Sequence, residues 1–97
     1  MITKSQAIHL AEEYIGEASK KSGYHLVLLS EDIVEFDLGW VFTYQSKKFV
    51  ETGDILEMVT GNAPIIINKQ DGSVYETGTG YSIKKYIDDY RSIYKNG

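Results

Sequence analysis

The sequence lacks cysteine, and this absence excludes disulfide bonds, thiolate metal sites and a cysteine nucleophile. It also lacks a long apolar run, because residues 26–29 and 64–67, the longest, are far shorter than the ~20 residues that span a bilayer. The N-terminal region has no apolar signal-peptide core, since Glu12 and Glu13 stand where that core would lie. We therefore expect a cytoplasmic protein without a membrane segment or a membrane partner.

Basic residues are scarce, with 10 Lys and Arg against 14 acids and a net charge of −4. Because the neutralisation of phosphates requires a basic field, the sequence predicts no nucleic-acid partner. The 97 residues, of which 42% are hydrophobic and 25% charged, leave room for one soluble globular unit and no second core. We therefore predict a single domain over residues 1–97.

The acidic residues concentrate in the middle of the chain. Between positions 31 and 57, seven acids accompany two lysines, so this segment carries a charge of −5. The seven acids are Glu31, Asp32, Glu35, Asp37, Glu51, Asp54 and Glu57. A concentrated negative field speeds the encounter with a basic partner, so we predict that these side chains contact a partner protein. The alternative is a solvated surface that keeps the protein soluble.

Both ends of the chain show the pattern of amphipathic helices. Thr3 and Gln6 have the spacing of a capping box, apolar residues follow at helical spacing, and Gly23 stands where a helix stops. This pattern predicts a first helix over residues 4–21. Near the C-terminus, Ser82 suits an N-cap and the apolar residues after it form one stripe, which predicts a closing helix.

The residues between the two helices have the composition of β-strands. Residues 24–37 are rich in strand-forming residues with one polar interruption, which leaves open one long bent strand or two short ones. Residues 40–45 alternate with period two and predict one strand, and the turn residues 70–72 join two further strands in a hairpin. Residues 47–62 lack a period and are predicted to be irregular, apart from a short helical or strand piece at 55–59.

The order of these elements predicts an α+β fold, in which an N-terminal and a C-terminal helix flank an antiparallel β-meander of about four strands. The consecutive residues Ile65, Ile66 and Ile67 point to both faces of the sheet, so both faces need cover. The two helices lie on opposite faces, or they share one face while the other packs against a partner or a second copy. A homodimer is therefore one of the open arrangements.

Few residue patterns suit catalysis or metal binding. His9 and Glu13 have a spacing that places two metal ligands on one side of a helix, but no third ligand accompanies them, and a solvated pair is favoured. Residues 78–80, Gly-Thr-Gly before a helix, match a phosphate-binding loop only in part, which favours a simple turn. No serine lies in a nucleophile-elbow pattern. We therefore expect no catalysis, no cofactor and no metal.

Aromatic residues are abundant, with eight tyrosines, three phenylalanines and one tryptophan. Trp40, Phe42 and Tyr44 share one strand face, where they form either a platform for bases or a protein contact, or a buried cluster beneath a helix. We predict that Trp40 and Phe42 are buried. Tyr44 is predicted to be more open and to join the acids as a partner contact.

Five segments of the chain resemble a known family in their order and spacing. They are residues 2–15, 39–46 (GWVFTYQS), 61–67 (GNAPIII), 71–75 (DGSVY) and 78–79 (GT) before a tyrosine-rich helix. Together they are similar to the immunity protein 35 family, the YrhB-like domain of bacterial polymorphic toxin systems. The resemblance covers nearly the whole chain.

The resemblance implies a small cytoplasmic antidote that binds a cognate toxin and neutralises it by occlusion, without catalytic residues of its own. It brings no family-wide contact residues, so the candidates remain those named above. We interpret Trp40 as a core anchor, Pro64 as the residue that starts a strand, and Gly39, Gly61 and Gly72 as turn residues.

Two other classes of function remain open at this point. A chaperone-like binder of unfolded or aggregation-prone proteins would use an uncovered apolar face of the sheet. A small enzyme or ligand-binding domain would depend on Glu51, Asp54 or Glu57 for its turnover. The sequence favours the immunity protein first, the chaperone-like binder second and the enzyme last.

Overall fold

The polypeptide begins and ends with a helix, and short strands fill most of the chain between them. A computed structural model describes residues 1–60 and 62–96. Its helices and strands, in chain order, are α1 (Lys4–Ser22), β1 (Leu26–Leu28), β2 (Val34–Phe36), β3 (Gly39–Phe42), β4 (Tyr44–Ser46), α2 (Lys47–Thr52), β5 (Ile65–Asn68), β6 (Val74–Glu76) and α3 (Ile83–Asn96). Ser30–Asp32 and Ile55–Glu57 form single 3₁₀ turns. The predicted α+β class is confirmed.

Helix α1 begins at the capping box that its sequence predicts. The Thr3 hydroxyl accepts a hydrogen bond from the Gln6 amide at 3.1 Å, and the Gln6 side chain accepts one from the Thr3 amide at 2.8 Å. At the other end, Gly23 has a φ of 78°, and its N–H donates to the carbonyl of Ser19. A left-handed glycine of this kind satisfies carbonyl groups that the last turn leaves open, so the helix stops there.

Four strands form an antiparallel meander in the order β2-β3-β5-β6. Trp40 of β3 lies opposite Glu35 of β2 and Ile67 of β5. In the turn between β5 and β6, Gly72 has a φ of 73°, a conformation that glycine adopts without steric cost. The predicted meander of about four strands is confirmed.

The remaining strands, β1 and β4, pair in a separate two-stranded antiparallel sheet. Residues 40–45, predicted as one strand, are divided at Thr43 between β3 and β4, so the single-strand prediction is wrong. Residues 24–37 form the two short strands β1 and β2, not one bent strand. Period-two alternation specifies which face a side chain takes but not which strand it pairs with, and the division is therefore invisible in the pattern.

The four-stranded sheet carries a helix on each face. The buried residues of the layer that includes α1 are Ala7, Ala11, Trp40, Phe42, Ile65 and Ile67. The buried residues of the layer that includes α3 are Phe36, Val41, Ile66, Ile87 and Tyr90. The sequence left two arrangements open, and the structure has the helices on opposite faces. Both faces of the central strands β3 and β5 are therefore covered, and they offer no bare apolar surface to an unfolded client.

Gly39, which we interpreted as a turn residue, is instead the first residue of β3, directly after the turn, and the backbone of β5 approaches it closely. A Cβ at Gly39 would overlap the carbonyl oxygen of Ile67 on the neighbouring strand, so only glycine fits there. Pro64 directly precedes β5, and its carbonyl oxygen accepts hydrogen bonds from the Thr77 amide at 3.1 Å and the Thr77 hydroxyl at 2.6 Å. Gly61, which we expect at a turn, lies outside the described residues.

Candidate functional site

The predicted contact residues do not form one patch, because Glu35 and Asp37 are engaged within the fold. Glu35 Oε2 is 2.9 Å from Lys69 Nζ, and Asp37 Oδ1 is 2.8 Å from Arg91 Nε. The hydrogen bond from Lys69 lowers the pKa of the Glu35 carboxyl. Lys69 Nζ also lies 5.3 Å from the centroid of the Trp40 ring. These two carboxylates therefore connect β2 and the turn after it to the β5–β6 turn and to α3.

Tyr44 is half-buried and groups with Tyr14 of α1 and Glu76 of β6. Burial raises the pKa of the Tyr44 phenol, and the nearby charge of Glu76 raises it further. Burial and a hydrogen bond with Glu76 raise the pKa of Tyr14 to about 12. Tyr44 therefore belongs to a cluster of two tyrosines and one carboxylate that joins α1, β4 and β6.

The other five predicted acids lie around helix α2. Glu31 and Asp32, in the 3₁₀ turn after β1, line a groove of about 230 Å³ together with Val50 of α2. Glu51 of α2 and Glu57 line a second groove, of about 350 Å³. Helix α2 lines both grooves, through Val50 and Glu51, and Asp54 follows the helix after Gly53, so these acids border the surface around one helix. We call this the acidic surface, which consists of Glu31, Asp32, Glu51, Asp54 and Glu57.

The acidic surface keeps most of its negative charge unneutralised. The ion pairs in the described part of the chain do not include the carboxylates of Glu31, Asp32 or Glu51, although Lys47 and Lys48 line the same groove as Glu51. Glu57 Oε1 is 3.9 Å from Lys48 Nζ, a long contact in which the lysine side chain is 74% exposed. Exposed ion pairs of this kind contribute little to stability, and the charges stay available to a partner.

Part of the acidic surface lies on a loop of residues 47–60, which leaves β4 and leads towards β5. The sequence predicted an irregular segment here, and that is wrong for α2, while the short piece predicted at 55–59 corresponds to the 3₁₀ turn. The Ser46 hydroxyl accepts a hydrogen bond in the first turn of α2, and Gly53, at φ 71°, ends the helix. The Asp54 carboxylate then accepts a hydrogen bond from the Leu56 amide at 3.0 Å and begins the 3₁₀ turn.

The Gln45 side chain closes this loop at its base. Gln45 Oε1 accepts hydrogen bonds from the amides of Val59 at 2.8 Å and Ser46 at 2.7 Å, and Gln45 Nε2 donates to the Val59 carbonyl at 3.0 Å. Asn62 Nδ2 also donates to the Val59 carbonyl, at 3.1 Å, and to that of Tyr44, at 3.3 Å. Neither amide side chain was identified from the sequence, since the Gln45–Val59 bonds join residues 14 positions apart and no local pattern signals them.

Apolar side chains project from the 47–60 loop into solvent. Leu56 is 88% exposed, Ile55 is 72% exposed and Val50 is 50% exposed. These residues had no role in the predictions from sequence, although an Ile-Leu pair between two acids, Asp54 and Glu57, was a visible signal. An apolar centre with a charged rim is the common anatomy of a protein-binding surface.

The other patterns singled out in the sequence have local structural roles. His9 Nε2 lies 2.9 Å from Glu13 Oε1, and both side chains are exposed on α1. Gly78 packs against the Tyr86 hydroxyl, which accepts a hydrogen bond from the Tyr81 amide at 3.0 Å. In residues 1–60 and 62–96, no three metal-ligating side chains come together. Nor is any helix in that part of the chain long and apolar enough to cross a membrane.

Comparison with known proteins places the chain in a family. The description "Immunity protein 35" belongs to a family model that matches residues 5–86, and this range includes both sheets and the start of α3. An uncharacterized protein of Escherichia coli strain K12, YrhB, is 33% identical over 90 residues, which cover 93% of this chain and 89% of the relative. No solved structure matches the chain significantly. The chain belongs to the immunity protein 35 family.

Proposed function

We propose that this protein is a cytoplasmic immunity protein that binds a cognate bacterial toxin and neutralises it by non-covalent occlusion. Its membership of the immunity protein 35 family carries the proposal. The acidic surface supports it, because exposed and unpaired carboxylates beside exposed apolar side chains suit recognition of a basic protein.

Neutralisation of this kind requires no covalent chemistry. The negative field of Glu31, Asp32 and Glu51 would accelerate encounter with a positively charged toxin domain, and the complex would then cover the toxin's active site. Because this steering acts through solvent, the association rate should fall as ionic strength rises. The dissociation rate should depend instead on the apolar contacts at the centre of the interface.

Co-expression with the proteins encoded beside its gene tests the proposal. One of those proteins should arrest growth when expressed alone and should be harmless when this protein is expressed with it. Calorimetric titration of the two purified proteins should give a stoichiometric complex. The proposal is wrong if none of the neighbouring proteins is toxic, or if protection occurs without binding.

A further inference from the structure

We infer that Ile55 and Leu56 are the apolar anchor of partner binding, and that they insert into an apolar pocket on a basic protein surface. The inference rests on the proposed function and specifies the part of the surface that makes the decisive contact. In the described part of the chain, Leu56 is the most exposed large apolar residue at 88%, and Ile55, at 72%, follows it and Met1, at 85%. When a partner covers them, such side chains bury more apolar surface than partly exposed ones do, and burial of apolar surface favours binding.

The anchor is held in place before any partner arrives. The left-handed Gly53 reverses the chain after α2, and the Asp54 carboxylate fixes the Leu56 amide at 3.0 Å. At the base of the loop, the Gln45 side chain accepts a hydrogen bond from the Val59 amide and donates one to the Val59 carbonyl. Hydrogen bonds therefore fix the backbone conformation of the segment that carries the two apolar side chains. A preorganised anchor loses less conformational entropy on binding than a disordered one.

Charge identifies the kind of partner. Around α2 the five carboxylates of the acidic surface outnumber the two basic residues of the helix, Lys47 and Lys48, so this surface carries a net charge of −3. A second copy docked here about a two-fold axis would bring acid against acid, which opposes self-association. A basic rim around an apolar pocket would meet both the carboxylates and the two side chains. The occupant is therefore a basic protein other than this chain.

The test compares Leu56→Ala with Ile93→Ala, a matched control on α3 where the isoleucine is 50% exposed. Each variant is titrated calorimetrically with the neighbouring-gene protein that the wild type binds and neutralises. We expect Leu56→Ala to weaken the complex at least about thirtyfold, the scale of a hot-spot residue, and Ile93→Ala to change it by less than about twofold. Thermal unfolding of each variant should match the wild type, because both side chains are exposed.

Four outcomes separate the possibilities. Wild-type affinity in Leu56→Ala would overturn the inference and leave the proposed function intact. Equal losses in both variants would also overturn it, since they would indicate unspecific apolar binding of the kind a chaperone uses. A wild-type dimer in sedimentation equilibrium that Leu56→Ala dissociates would overturn it in favour of a second copy. Absence of binding by the wild type would refute the proposed function and the inference with it.

Discussion

The four-stranded sheet buries its apolar side chains, whereas the 47–60 loop exposes several of its own. In the sheet, Phe42 and the isoleucines of β5 are fully buried between the two terminal helices. In the loop, Ile55 and Leu56 project into solvent although they are as apolar as the residues of the core. Burial of apolar area stabilises the sheet, whereas exposed apolar area gives no stability until a partner covers it.

The two regions also differ in what fixes their backbones. The sheet is ordered by its ladder of backbone hydrogen bonds and by the packing on each face. The loop depends on side chains that bond to backbone groups, namely Ser46, Asp54 and the Gln45 amide. Under the proposed function, stability and recognition lie in separate parts of the chain, and substitutions should affect one without the other.

The largest expected effect is a loss of stability from Phe42→Ala, set against Leu56→Ala. Phe42 is fully buried, so its truncation leaves a cavity and should lower the free energy of unfolding by about 3–5 kcal/mol. Leu56→Ala should change that free energy by less than about 0.5 kcal/mol, because the side chain is already in water. Denaturant unfolding measures both. A comparable loss in Leu56→Ala would mean that the loop is part of the core.

Gln45→Ala should have an intermediate effect, because it removes the hydrogen bonds that close the loop but alters no residue of the four-stranded sheet; Gln45 belongs to β4 of the two-stranded sheet. It removes three hydrogen bonds and leaves the amide and carbonyl of Val59 with fewer partners, which should lower the free energy of unfolding by about 1–3 kcal/mol. Hydrogen exchange of the Val59 amide should accelerate, while that of Ile66 in β5 stays slow. Gln70→Ala, in the exposed β5–β6 turn, is the control. Unchanged exchange at Val59 would show that Gln45 does not hold the loop.

This contrast also explains which parts of the fold the sequence could predict. The capping box at Thr3, the stop at Gly23 and the hairpin turn at Gly72 depend on residues a few positions apart, so local patterns predicted them. The division of residues 40–45 between two sheets depends on pairing with β1, a distant segment. No local period encodes that choice, and the single-strand prediction was wrong.

The candidate site was predictable in composition but not in geometry. The charge count identified seven acids; four of them line the grooves beside α2, and Asp54 follows the helix after Gly53. It could not show that Glu35 is paired with Lys69, because these residues are 34 positions apart. Nor could it assign a role to Leu56, since apolar residues are as common in cores as in binding sites. Exposure, which only the fold determines, separates the two.

Alkaline pH should lower the free energy of unfolding, because two tyrosines that pack in the core layers have raised pKa values. Burial raises the pKa of Tyr14 and of Tyr90 to about 12, from the 10.0 of an ordinary tyrosine. Between these values the unfolded chain releases the phenolic protons first, so the free energy of unfolding should fall as pH rises from about 10 towards 12. Tyr90→Phe should reduce this pH dependence, and Tyr24→Phe, at an exposed position, should preserve it. A stability that is flat across this range would contradict the burial of these phenols.

The smallest expected effect compares a paired carboxylate with an unpaired one. Glu35→Gln should lower the melting temperature slightly near neutral pH, because it breaks the contact with Lys69. Since that contact lowers the pKa of Glu35, its contribution is present above the ordinary value of 4.5 and is lost as pH falls through the lowered one. The difference between the variant and the wild type should therefore vanish in acid.

Glu51→Gln should leave the melting temperature unchanged and should slow association with a basic partner, most clearly at low ionic strength. Stopped-flow association of the two proteins at several salt concentrations measures the rate, and Glu35→Gln is the matched control because it removes the same charge from a paired site. If Glu51→Gln lowered the melting temperature as Glu35→Gln does, Glu51 would be bonded within the fold. The acidic surface would then be a stabilising feature like the sheet, and the separation of stability from recognition would fail at that residue.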